Sequence, residues 1–120
     1  MGVLTGNVDA LAKWKLTHVG IDPKWFSIFV TSDEFEDRIT LAKSTFEKVE
    51  KELGLSIAPS DTIVIGDAVG DVRCAKAIGA ATIVALTGQH KREDIEKESP
   101  DFIVDSLMDH AVLEYFHIKL

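Results

Sequence analysis

Little in this sequence marks a specialised environment. Cys74 is the single cysteine among 120 residues; an internal disulfide framework is therefore excluded, and a reducing compartment is the expected setting. No apolar run approaches the roughly 18 residues of a membrane helix, and the first residues lack the basic start and long apolar core of a secretory signal. No membrane partner is expected, and the cytoplasm is the expected location. Basic residues are in the minority: 13 Lys and Arg against 20 Asp and Glu give a formal net charge of −7. That balance offers no general attraction to a nucleic-acid backbone, so no nucleic-acid partner is expected. A small anionic ligand would need local positive charge or a metal. His18, His90, His110 and His117 are too scattered for metal-ligand spacing and read as surface or cap residues, with His90 the one in a loop worth testing. Repeats, low-complexity tracts and long linkers are absent, and the length allows one domain, residues 1–120, with one core.

What is present alternates between two periods. Short apolar runs rich in β-forming residues occur at Val3-Leu4, Phe26 to Val30, Ile63 to Ile65, Ala81 to Leu86 and Phe102 to Val104. Between them lie stretches with helical spacing. Val8, Leu11, Ala12, Leu16 and Val19 predict a helix that Asn7 caps and Gly20 ends; Ile39, Ala42, Phe46, Val49 and Leu53 predict a longer one ended by Gly54. Val72, Ala75 and Ile78 precede a stop at Gly79, a short charged helix runs from Arg92 to Glu98, and Ser106 opens a last one with Leu107, Ala111, Leu113 and Phe116. Trp14 and Trp25 read as packing residues. Strands alternating with helices define an α/β fold with a mostly parallel sheet of about five strands.

In parallel sheets ligands gather beyond the carboxyl ends of the strands. Val64-Ile65-Gly66-Asp67-Ala68-Val69-Gly70-Asp71 is such an end, a buried strand followed by a glycine turn with two carboxylates. Asp67 and Asp71 suit a hard divalent cation, Mg2+; equally, either Asp could cap a turn or a helix. Thr5-Gly6-Asn7 and the acidic loop Thr31 to Arg38 fall at the same end if the strands are parallel. Cys74, with no activating base beside it, reads as an inert, partly buried thiol.

These turns together resemble the haloacid dehalogenase-like (HAD) hydrolase superfamily, nearest to its phosphoglycolate-phosphatase type. Leu4-Thr5-Gly6-Asn7 resembles the second motif, and Gly66-Asp67-Ala68-Val69-Gly70-Asp71 the fourth. Gly79-Ala80-Ala81 and Pro100-Asp101-Phe102-Ile103-Val104-Asp105-Ser106-Leu107 resemble the closing phrases. The resemblance implies a three-layer Rossmann-like core in which Thr5, Gly6 and Asn7 bind phosphoryl oxygens, Asp67 and Asp71 hold Mg2+, and one basic residue neutralises charge. Arg38, at the start of the long helix, is the choice for that residue because a guanidinium can grip a phosphoryl group bidentately; Lys43, inside the helix, is the alternative. Thr5 and Arg38 are then the candidate catalytic residues, and a small phosphorylated metabolite the substrate class.

The resemblance also shows what is missing. The family's nucleophile is the first Asp of an Asp-x-Asp-x-Thr motif on the first, central strand, followed by a cap domain, and this sequence contains no Asp-x-Asp-x-Thr. The chain therefore reads as a partial core, without the usual first strand and the cap, that does not turn over phosphomonoesters alone. The lost strand would leave two sheet edges open, to be paired directly, filled by a homo-oligomer, or completed by a separate N-terminal partner. A non-catalytic α/β binding or assembly module that keeps a residual metal or phosphate site is the alternative function.

Overall fold

A computed structural model describes residues 1–5, 7–31 and 37–116. Gly6, Ser32 to Glu36 and His117, for which the sequence raises expectations, lie outside the described residues. The chain divides into two compact units, Met1–Pro59 and Ser60–Leu120.

In the first unit, β1 (Gly2–Leu4) is followed by α1 (Asp9–His18), a short 3-10 helix (Pro23–Trp25), β2 (Ile28–Val30) and α2 (Arg38–Leu53). β1 and β2 are parallel, with Leu4 opposite Val30, and the Thr5 N–H extends the ladder to the Val30 carbonyl at 3.0 Å. A parallel pair needs a crossover, and α1 supplies it. Helix α2 starts at Asp37, whose Oδ2 accepts from the Thr40 backbone N–H at 2.9 Å, and ends at Gly54 with φ 65°. That N–H holds the Asp37 carboxyl below the usual range, with the Thr40 hydroxyl adding to the effect. Leu41, Ala42 and Val49 are the buried residues of α2, whereas Ile39 and Leu53 are exposed. The core-facing stripe is thus rotated from the expected one. Lys48 folds its ammonium onto the Phe29 carbonyl at 2.6 Å, covering a group on β2 that an added strand would need.

Helix α1 departs further from expectation. Of its apolar residues Ala12 is buried, while Val8, Leu11, Trp14 and Val19 are exposed, as is Trp25. Spacing identifies residues that share a face and says nothing about whether anything covers it. Asn7 does not cap this helix either; Val8 holds the cap position, and the Asn7 side chain turns back to Thr5.

The second unit runs β3 (Ile63–Gly66), α3 (Val69–Ile78), β4 (Ala81–Ala85), α4 (Arg92–Glu96), β5 (Phe102–Val104) and α5 (His110–Tyr115). The three strands are parallel in the order β3-β4-β5, so β4 is central and its residues 82–85 are buried. Alternation along β4 divides the core. Ile83 and Ala85 pack with Val104 and Val112 of α5, while Val84 packs with Val72 of α3 and Ile95 of α4. Helices on both faces of a parallel sheet make this a three-layer arrangement. Asp109, rather than Ser106, caps α5 by accepting from the Ala111 N–H at 2.8 Å, and Val112 is its buried residue. Cys74 is buried more completely than expected, at 2% exposure.

The fold is α/β, as expected, with every strand pair parallel; among the described residues the five strands form one sheet of two and one of three. β1 and β3 each pair on one side. No helix among the described residues is long and apolar enough to cross a membrane.

One side chain completes the ladder where β5 falls short. Pairing of β4 with β5 begins at Ile83 and Phe102, so the N–H of buried Thr82 is met instead by the Asp101 carboxylate at 2.8 Å. Asp101→Ala strips that donor of its partner and is expected to lower stability by about 2 kcal/mol, the cost of an unsatisfied buried N–H, read from the urea midpoint. Asp101→Asn, which retains an acceptor, should recover most of the loss.

Candidate functional site

The candidate residues fall into a group in each unit. In the first, Thr5 follows β1 at its carboxyl end. The Asn7 backbone N–H and its side-chain Nδ2 donate to Thr5 Oγ1 at 3.1 and 3.2 Å, and Lys15 of α1 donates through Nζ to Asn7 Oδ1 at 3.3 Å. The structure therefore joins Thr5 and Asn7 directly and adds a lysine that the sequence reading did not single out. Arg38 is the first residue of α2, exposed, next to the capping Asp37; Lys43, also exposed, lies more than a turn further on.

In the second unit β3 ends at Gly66, and exposed Asp67 stands at its carboxyl end. Asp71 lies in the first turn of α3 and folds back over the loop: its Oδ2 accepts from the N–H groups of Asp67 and Ala68, each at 3.0 Å. Ala68 holds the N-cap position but has no side-chain acceptor, so Asp71 supplies the side-chain half of a capping arrangement. A Cβ on Gly66 would overlap the Asp71 side chain, which is why glycine stands there. A carboxylate has about four acceptor sites, so capping and cation binding are compatible at Asp71. The sequence reading also passed over Gly88. It lies in the loop after β4, and a Cβ there would come within 2.8 Å of Asp67 Oδ2 and 2.9 Å of the Asp67 carbonyl oxygen. Neighbouring parallel strands bring their following loops together, and Gly66 is opposite Val84; a glycine in a loop does not by itself signal this contact. His90, in the same loop, is exposed.

Among the described residues no three His, Cys, Asp or Glu side chains gather into a metal-binding group. Magnesium does not require one: it is commonly held by one or two carboxylates, with waters and substrate oxygens filling its octahedron. The hard oxygen donors of Asp67 and Asp71 fit such an ion.

Parallel α/β units with polar side chains beyond the carboxyl ends of their strands are of the Rossmann-like class. The family model described as HAD-hydrolase-like matches residues 40–110, more than half of the chain, and the chain belongs to that family. The matched span contains Asp67, Asp71 and Gly88; Thr5, Asn7 and Arg38 precede it. A phosphoglycolate phosphatase of Nitrosococcus oceani is 25% identical over 109 residues, covering 91% of this chain and 47% of its own length. One of Escherichia coli K12 is 27% identical over 86 residues, covering 72% of this chain and 33% of its own. The chain thus spans half or less of these curated relatives. Among solved structures, a haloacid dehalogenase-like hydrolase from Streptococcus pneumoniae superposes with a TM-score of 0.77 at 21% identity, covering 96% of this chain and 51% of its own. A protein described as a predicted phosphatase from Clostridium acetobutylicum gives 0.78 at 20% identity, with 98% and 52% covered. These two share the fold.

Proposed function

We propose that this chain is the C-terminal core portion of a Mg2+-dependent HAD-like phosphatase acting on a small phosphorylated metabolite, and that it is inactive alone. The observation that carries this reading is exposed Asp67 at the end of β3, its loop braced by the Asp71 carboxylate. In this reading Asp67 and Asp71 hold Mg2+, Thr5, Gly6 and Asn7 donate to phosphoryl oxygens, and the Arg38 guanidinium balances charge on the phosphoryl group. Bound magnesium would supply positive charge against the phosphoryl oxygens. The nucleophile would come from an Asp-x-Asp-x-Thr segment, which this sequence lacks. The one-sided pairing of β1 and β3 supports completion of the sheet by a further strand, from a copy of this chain or a separate N-terminal partner. The relatives' name makes a phosphorylated small acid of the phosphoglycolate kind the first substrate to assay, and a reducing cytoplasm suits the lone buried thiol.

The test is manganese binding by electron paramagnetic resonance, beside an assay of p-nitrophenyl phosphate hydrolysis with Mg2+. The wild-type chain should bind Mn2+, Asp67→Asn should weaken binding at least about tenfold, and neither should hydrolyse the ester. Equal Mn2+ binding by the two proteins would remove the metal role, and Mg2+-dependent turnover surviving rigorous purification would overturn the claim of inactivity.

A further inference from the structure

A threonine hydroxyl has one hydrogen to give and two lone pairs with which to receive. At Thr5 both lone pairs are used, one by the Asn7 backbone N–H at 3.1 Å and one by Asn7 Nδ2 at 3.2 Å. What remains is the hydroxyl hydrogen, so Thr5 meets any additional partner as a donor. That polarity suits an anion. It holds as long as the Asn7 amide keeps its NH2 end toward Thr5, since the opposite orientation would present a carbonyl oxygen and draw the hydroxyl hydrogen inward.

Lys15 settles the orientation. Its ammonium carries three donors and no acceptor, and it stands 3.3 Å from Asn7 Oδ1. Turning the amide over would set an NH2 group against NH3+ and lose the lysine's hydrogen bond, while the contact with Thr5 would only change direction. Helical side chains lean toward the N-terminus of their helix, and at about 1.5 Å rise per residue a lysine two turns into α1 can reach the residues that precede it. Lys13, on the same helix, is paired with Asp9 at 2.8 Å, whereas Lys15 meets a neutral oxygen that leaves its charge uncancelled.

We infer that Lys15 is a positioning residue of the phosphoryl-binding turn: acting through the Asn7 amide, it fixes the Thr5 hydroxyl as a donor toward a phosphoryl oxygen. The inference rests on the proposed phosphate role of Thr5-Gly6-Asn7 and adds a third side chain and a direction to it. The relay runs from the Lys15 ammonium to Asn7 Oδ1, from Asn7 Nδ2 to Thr5 Oγ1, and from the Thr5 hydroxyl to the anion. The Lys15 charge adds attraction for an anion at the same turn.

The experiment uses the 120-residue chain with inorganic phosphate as probe, followed by proton–nitrogen NMR, which reports both phosphate affinity and the Asn7 side-chain amide signals. Lys15→Met should weaken phosphate binding about tenfold, the scale of one charge-assisted hydrogen bond, and should move the Asn7 amide signals. Lys15→Arg, which retains charge and donors, should restore both. Unchanged affinity and unchanged amide signals in Lys15→Met would overturn the inference; weaker affinity with unmoved amide signals would reduce Lys15 to a bare charge and overturn it equally. Thr5→Val separates this from the underlying reading. If it binds phosphate as the wild type does, or if the wild type binds none, the phosphate turn is refuted, and the Asn7 amide in Lys15→Met still decides whether the lysine orients it.

Discussion

Gly66→Ala is expected to destabilise the Ser60–Leu120 unit by about 3 kcal/mol, at the upper end of the usual range for overpacking, and to release the loop that carries Asp67. The added methyl would occupy the place of the Asp71 side chain. A long surface side chain could swing aside at small cost, but this one is tethered, since its Oδ2 holds the N–H groups of Asp67 and Ala68 at 3.0 Å each. Moving the carboxylate breaks both bonds at the start of α3, where helix geometry leaves N–H groups without partners inside the helix. The mechanism has a signature beyond the loss itself. In an Asp71→Ser background, with a shorter side chain in the contested space, Gly66→Ala should cost distinctly less than in the wild type, a non-additivity expected of groups in contact. Urea unfolding of the four proteins measures it, and strictly additive losses would refute the idea that Gly66 exists to admit Asp71.

The same loop shows what could be read from the residues alone. The order of strands and helices followed from the change of hydrophobic period, and the stops at Gly20, Gly54 and Gly79 are all glycines with positive φ, at 84°, 65° and 75°. Asp67 and Asp71 were legible as a pair because a strand, a glycine turn and a helix start lie within eight residues. The choice between cap and ligand at Asp71 was not legible, because both readings ask for the same residue in the same place; the capping geometry is now visible. Leu41 was missed because it lies beside the expected stripe of α2, and the exposure of Leu11 and Trp14 on α1 was missed because periodicity is silent about what covers a face. The division of the described strands into sheets of two and three was not legible either, because local patterns do not report which strands are neighbours. Lys15 and Gly88 belong to a third kind. One reaches back eight residues to an amide and the other meets a loop across the sheet. Such contacts depend on tertiary placement, which spacing does not encode.

Gly88→Ala should differ from Gly66→Ala, with a smaller loss of stability and a large effect on the cation site. Gly88 is exposed and does not have a positive φ, so alanine introduces no backbone strain there. Its Cβ would lie 2.8 Å from Asp67 Oδ2, 3.0 Å from Cγ and 2.9 Å from the Asp67 carbonyl oxygen, all too close. The carboxylate can swing away, but the carbonyl oxygen belongs to the backbone, so the Asp67 or Gly88 loop must itself shift. A midpoint shift worth about 1–2 kcal/mol is therefore expected, in the lower part of the usual range for overpacking. The carboxylate, however, no longer rests where Asp67 holds it in the wild type. If that placement serves a divalent cation, Mn2+ affinity should fall about tenfold or more, since magnesium-like ions tolerate little departure from octahedral geometry. The Asp67→Asn background supplies the control: with the carboxylate gone, adding Gly88→Ala should change Mn2+ binding no further. Wild-type affinity in the single variant would show that Gly88 is merely a loop glycine. A drop of equal size in both backgrounds would show that the substitution acts through something other than Asp67.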